Sequence, residues 1–494
     1  MEIFFVDQFT YLQKKKRPVA FSVCRILSKG RSFLMDILTE IEQNLVKSGS
    51  LFEAEQIILK GVLELGQVIM QNFLESLDRS LKSQVPANYQ VINKQPRTLN
   101  FIFGPVTFQR RYYQAGTKKR EFYLDQQLKI KPRRRLSPHY LMMMAKIAQT
   151  TTMRNTADIL NLVFDSGITA DSVMHAVHEL GNQVAEQTQA KEHQATPRHM
   201  PKNLTIEGDA FMIKGKKEAG QLTLVHHYRV YERVANQIIN RHDFLSVGHQ
   251  GRLEARLSDY LDRHYKLAGQ TIFLASDAGP GYEPAKLLSL VPQGAHGEYF
   301  LDRYHCLQKI EHTLGRHNEL AMRAIKAVRH HDQAELTIIL DTYESQNLTE
   351  KQADDLMRLR KYLQRNWRYI LSPQMRGFKD IHLIGSVESS HRAFTYRMKK
   401  QGKSWTKQGA KAMIGLIEAR MNGELQASLN TILEQLTVLP RVAQTSLLQE
   451  MHIRTGEFLR KAPTKPSIGA VQGIIPINTA TSRPMGQLFK ALTH

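Results

Sequence analysis

The chain of 494 residues carries 68 Lys and Arg against 46 Asp and Glu, a formal net charge of +22, with 20 His and two Cys. That length makes about three domains at roughly 150 residues each, and a composition 42% hydrophobic and 8% aromatic excludes a disordered chain. Cys24 and Cys306 exclude a disulfide scaffold and a zinc ribbon.

No window offers the ~18 uninterrupted apolar residues of a membrane span. Apolar residues precede the basic run Lys14 to Arg17, the reverse of a signal peptide. The expectation is a soluble intracellular protein with no membrane partner. An excess of +22 favours a polyanion, and its clustering favours nucleic acid.

Residues 1–95 read as an N-terminal helical region. Leu34, Ile37, Leu38, Ile41 and Leu45 follow one helical stripe, and Ser50 can cap a second carrying Ile58, Val62, Leu65 and Ile69. These faces suit packing or oligomerisation.

The period changes in the basic segment 96–135. Leu99, Phe101 and Phe103 alternate with polar neighbours, Gly104-Pro105 turns, and Val106, Phe108 and Arg110 alternate again, predicting a β-hairpin. Residues 101–140 hold ten Lys or Arg and two acids, Glu121 and Asp125, a net +8. Arg110, Arg111, Lys118, Lys119, Arg120, Arg133, Arg134 and Arg135 are candidate phosphate contacts. Tyr112 and Tyr113 can stack on bases or simply pack.

Three helical patterns follow in 136–200. Ser137-Pro138 starts the first, Asn155 can cap the second, and Thr169 can cap the third, which carries Val173, Val177, Leu180 and Val184. Helix, glycine-containing turn and helix fit a helix-turn-helix, as they fit any small bundle. The polar stretch 187–201 reads as a linker.

From residue 203 the pattern is strand-rich: Leu204–Ile213, Leu222–Val234, His242–Val247, Thr271–Ser276 and Glu298–Leu301, with a helix over Arg252–Lys266. Helices run from His305 to about Leu371, a strand-like piece covers Ile381–Ile384, and a helix starts near Val387. Residues 405–460 are helical again, ahead of a Pro-punctuated tail.

Three acids stand out in this basic chain. Asp209 lies among apolar neighbours in the first strand, Asp277 ends the fourth before a glycine-rich turn, and Glu388 stands at a helix start. Singly, each has an ordinary structural role: strand-end cap, turn former, or charge favoured by a helix dipole. Together, a three-strand meander, a helix, a strand ending in Asp and a later helix with Glu give the element order of an RNase H-like fold. Such a fold gathers three carboxylates on one sheet edge. Transfer of a phosphodiester by in-line attack uses two hard cations about 3.5–4 Å apart, and Mg2+ or Mn2+ prefers carboxylate oxygen. Glu207 shares the strand face of Asp209 and rivals it as the first ligand.

Glu388 follows Asp277 by 111 positions, so 306–375 is a helical insertion between core segments 201–305 and 376–420, with 421–494 as C-terminal helices and tail. Asp302 and His305 stand three apart at a strand-to-helix junction. His305 could contact a phosphate or shuttle a proton, although a structural hydrogen bond fits its spacing as well. Residues 389–411 add Arg392, Arg397, Lys399, Lys400, Lys403, Lys407 and Lys411 and no acid, a net +7. These can track a DNA backbone.

Ile206-Glu-Gly-Asp209, Ser276-Asp277-Ala-Gly, Leu301-Asp-Arg-Tyr-His305 and Gly385-Ser-Val-Glu388, in that order, resemble the DDE transposases of the ISLre-two family of bacterial insertion sequences, relatives of the Mutator-like group. Phe103-Gly-Pro-Val-Thr-Phe-Gln-Arg-Arg-Tyr-Tyr113 also resembles that family's hairpin. The resemblance covers roughly 30–460. It implies an α/β protein with an RNase H-like catalytic domain, a long helical insertion, and preceding helical DNA-binding and oligomerisation regions. It also implies a transposase that binds inverted-repeat ends, cleaves with two Mg2+ or Mn2+ ions and transfers the 3′-hydroxyl. Asp209, Asp277 and Glu388 would be the metal triad, with Asp302 and His305 in support. The partners implied are double-stranded DNA and a second copy of the chain in a homodimer or higher oligomer. An RNase H-like structure-specific nuclease and a catalytically inactive transposase-derived DNA-binding protein are the alternatives. Ser276, Ala278 and Tyr282 stand where the family's pattern leads one to expect a flanking glycine and a nearby tryptophan.

Overall fold

The computed structural model describes residues 39–116, 119–164, 166–194, 198–216, 222–234, 237–379, 381, 393–400, 403–436 and 439–461, with side chains to 452 in the last segment. It is a mixed α/β chain of two compact units. One comprises the described residues within 1–61 and 442–494, and the other those within 62–441. Helix α13 (Gln444–Lys461) belongs to the first. The second holds everything that follows, apart from the first turns of α1.

Helix α1 (Leu51–Ser80) is followed by strands β1 (Tyr89–Phe101), β2 (Gly104–Ala115) and β3 (Lys119–Glu121), a three-stranded antiparallel sheet in that order. Gly104, at φ +112, makes the hairpin turn. Ahead of its pairing with β3, β2 points backbone donors away from β1, and α1 satisfies them. Glu75 accepts from Gln109 N–H at 2.9 Å and Asp78 from Arg111 N–H at 3.2 Å. By length and composition alone, α1 through Gln84 is apolar enough to cross a membrane. Leu74, Leu77 and Leu81 near its end are buried.

Helices α2 (Pro138–Ile147), α3 (Met153–Phe164) and α4 (Ala170–Glu192) come next. Ser137 and Thr169 cap the first and third as expected, accepting from Tyr140 and Ser172 N–H. Thr152, not Asn155, opens α3: its hydroxyl accepts from Asn155 N–H at 3.1 Å. Helix α4 runs through 187–192, which the sequence suggests is linker. Thr188 and Glu192 there are buried polar residues continuing the stripe of Val173, Val177, Leu180 and Val184.

The second sheet has strands β4 (Leu204–Lys214), β5 (Leu222–Val234), β6 (Gln237–Val247), β7 (Thr271–Ser276) and β8 (His296–Leu301), in spatial order β6-β5-β4-β7-β8. The first three form an antiparallel meander; β7 and β8 run parallel to β4. Helix α5 (Gln250–His264) makes the crossover to β7, and α6 (Pro284–Leu288) precedes β8. Leu253, Leu257 and Leu261 of α5 pack beneath Ile206 and Ile272 on one face. The other face, with Phe211, Ile213, Val225 and Leu245, shares one core with α2, α4, α11 (Lys407–Met421) and α12 (Leu425–Leu436). Gly181 lets α4 approach α11 closely, since a Cβ there would meet the Ala412 carbonyl oxygen at 2.2 Å.

Helices α7 (Arg303–Leu314), α8 (Glu319–His330), α9 (Gln333–Glu344) and α10 (Glu350–Asn366) form the insertion, with its own apolar core. Of the expected strand 381–384, Ile381 packs against Phe273 and Phe300 outside any strand, and 382–384 lie outside the described residues. Residues 393–398 are helical.

Candidate active site

The sheet places the acids by register. Glu207 pairs with Ala275 across the parallel β4–β7 ladder, so two residues on, Asp209 and Asp277 lie side by side. Ser276 pairs with Leu301, and the Asp302 N–H donates to the Ser276 carbonyl at 2.7 Å. Asp302 therefore follows Asp277 in the same row. A cavity of about 180 Å³ opens here, lined by Glu207, Asp209, Asp277, Asp302 and His305 among others. It lies where parallel strands expose their carboxyl ends, the usual place for a ligand.

Burial pushes the Asp209 carboxyl up to about 7, and the neighbouring Asp277 and Asp302 push the same way, against the Ala210 N–H and His305. Gly208 makes this placement possible: a Cβ there would meet the Tyr228 and Tyr282 rings, each at 2.8 Å. Glu207, the rival ligand, is 3% exposed and accepts the Tyr231 hydroxyl at 2.8 Å. It is thus already engaged in the sheet.

Asp277 accepts from Gly279 N–H at 2.8 Å, and Ser276 ties the turn together by donating to the Tyr282 carbonyl at 2.6 Å. Asp302 is the N-cap of α7, accepting from Tyr304 N–H at 2.9 Å, with its other oxygen 3.0 Å from His305 Nδ1. The acid-x-x-His spacing is therefore a helix cap that also orients an imidazole toward the acids.

Glu388, the third expected ligand, lies outside the described residues, as do Lys118 and Arg392. The donor chemistry, two neighbouring carboxylates with a third beside them, suits a hard divalent cation. Among the described residues no three His, Cys, Asp or Glu side chains come together as a complete ligand set.

The basic candidates divide. Arg110 is turned inward, paired with Asp125 and stacked 3.4 Å over the Phe122 ring. Arg111 pairs with Asp78. Arg134 bonds Glu179 at 2.5 Å. Arg397 is 3% exposed and donates to the Ala148 carbonyl at 2.6 Å; burial lowers its pKa to about 10. These four hold the fold together instead of facing solvent as phosphate contacts. Arg110 shares the strand parity of buried Val106 and Phe108, a signal that alone predicts an inward side chain. Lys403 is half-buried and donates to the Tyr396 carbonyl at 3.1 Å. Lys119, Arg120, Arg133, Arg135, Lys399 and Lys400 are exposed, with Lys119 paired to Glu121.

Sequence reasoning misses Lys309 and Tyr362, which touch Asp277 from the insertion. Neither lies in a motif, and only the tertiary fold brings them to the acid.

Residues 45–432 match the model of a family described as an uncharacterised protein family (UPF0236). A relative from Streptococcus gallolyticus, described as a UPF0236 protein in the vanSb 3′ region, is 29% identical over 463 residues, covering 92% of this chain and 100% of the relative.

Proposed function

We propose that this chain, which belongs to the UPF0236 family, is a DNA transposase with an RNase H-like catalytic domain. The observation that carries the reading is the row of Asp209 in β4, Asp277 just past β7 and Asp302 just past β8, lining one cavity. The order β6-β5-β4-β7-β8, an antiparallel meander extended by two parallel strands, is the order an RNase H-like sheet has. It supports the same reading.

Asp209, Asp277 and Glu388 would hold two Mg2+ or Mn2+ ions. When bound, the ions supply activation of the attacking oxygen and stabilisation of the leaving one. The chain's own residues do the rest. His305, oriented by Asp302, holds a proton beside the reacting phosphate. Exposed Arg120, Arg133, Arg135, Lys399 and Lys400 grip the DNA backbone. Two copies of the chain bring two inverted-repeat ends together, working on DNA in the cytoplasm.

The test is incubation of the full chain with DNA carrying the element's ends and target DNA, in Mg2+ or Mn2+. Joined product supports a transposase. Cleaved but unjoined product indicates a nuclease, and binding without metal-dependent cleavage an inactive DNA-binding protein.

A further inference from the structure

The helical insertion grips the turn that carries the second acid. Tyr362 of α10 donates its hydroxyl to the Asp277 carbonyl at 3.0 Å. Lys309 of α7 lies 4.0 Å from the centre of the Tyr362 ring, donates to the same carbonyl at 3.5 Å, and stands 3.7 Å from the Asp277 carboxylate. Arg365 donates to the Ala278 carbonyl at 3.4 Å.

Ala278 gives a second, independent observation. Its φ of +53 lies in the left-handed region that favours glycine. Yet its methyl group is 2% exposed and belongs to the apolar core of the insertion, with Leu301, Cys306 and Ile310. Glycine would ease the backbone here and lose the anchor. The residue present tolerates strain and keeps the anchor, so the turn is fixed to the helices by packing as well as by hydrogen bonds.

We infer that the insertion is a clamp for Asp277, with Tyr362, Lys309 and Ala278 as positioning residues that hold its carboxylate beside Asp209. The inference rests on the proposed reading of Asp277 as a ligand for a divalent cation. A ligand's neighbours set its direction, and losing one commonly weakens metal binding.

The experiment is Mn2+ titration calorimetry on the full chain. Tyr362→Phe and Ala278→Gly should each weaken binding on the order of tenfold. Tyr343→Phe is the control. It removes a hydroxyl bonded to the Thr313 carbonyl at 3.0 Å in the same helices, and should leave binding at the wild-type value. Wild-type affinity in both Tyr362→Phe and Ala278→Gly overturns the clamp. An equal loss in Tyr343→Phe does so too, because it would mean general loosening of the insertion. Unchanged binding in Asp277→Asn, or none in the wild type, removes the metal reading of Asp277 itself, and is thereby told apart from failure of the clamp alone.

Discussion

Asp209 and Asp277 lie side by side, two residues beyond the Glu207–Ala275 pair of a parallel ladder. Burial does most to raise the Asp209 carboxyl, and the neighbouring Asp277 adds to the rise. The folded chain holds its proton up to about pH 7, against an ordinary aspartate value of 3.8. The folded state therefore binds more protons across that window, and stability falls as pH rises through it. Asp209→Asn removes the ionisable group. In chelator at pH 8 the variant should be more stable than wild type by about 1–3 kcal/mol, with the gain vanishing below pH 4. Adding Mn2+ should raise the wild-type melting midpoint and leave that of the variant unmoved. A variant less stable than wild type at pH 8 would refute this.

The inward arginines should behave differently from the exposed ones. Arg111→Met leaves Asp78 without its charge partner, and should cost about 3–5 kcal/mol of stability. Arg120→Gln, Arg133→Gln and Arg135→Gln should each stay within about 0.5 kcal/mol. Combined, they should weaken DNA binding and lower its salt slope by about one for each phosphate no longer neutralised. Denaturant melts and binding at several salt concentrations separate the two groups. The sorting fails if the exposed set leaves the salt slope unchanged.

Acid should attack the core of the larger unit through its buried carboxylates. Burial alone would raise Asp243, but His227 and Arg229, bonded to it at 2.8 and 2.7 Å, hold it well below the ordinary value. Burial would likewise raise Glu192, but Arg256 and His242 hold it down. Both groups have depressed folded values. Their contribution is complete above about pH 4.5 and is lost as pH falls through the folded values. Asp243→Asn should lose about 3–5 kcal/mol at neutral pH and show a shallower acid limb in melts from pH 7 to 2. An acid limb as steep as that of the wild type would contradict the assignment.

Much of the sheet was legible because strand alternation and apolar runs are local. Leu222–Val234 and Thr271–Ser276 occur with the expected bounds. The register that sets Asp209 beside Asp277 was implied by element order alone. What stayed hidden depends on partners distant in sequence. The end of α4 looks like linker because Thr188 and Glu192 are polar, and only Arg256 and His242 from other elements make Glu192 a core residue. Arg110 and Arg111 look like phosphate contacts until Asp125 and Asp78 appear beside them. The grip of Tyr362 on Asp277 spans 85 residues and has no local pattern.

The most direct test of the acidic row is strand cleavage and joining on end-bearing DNA in Mn2+, comparing wild type with Asp209→Asn, Asp277→Asn and Glu388→Gln, each first shown to be folded. The account predicts joined product from the wild type and a loss of at least about a hundredfold in each variant. Wild-type activity in all three would contradict it.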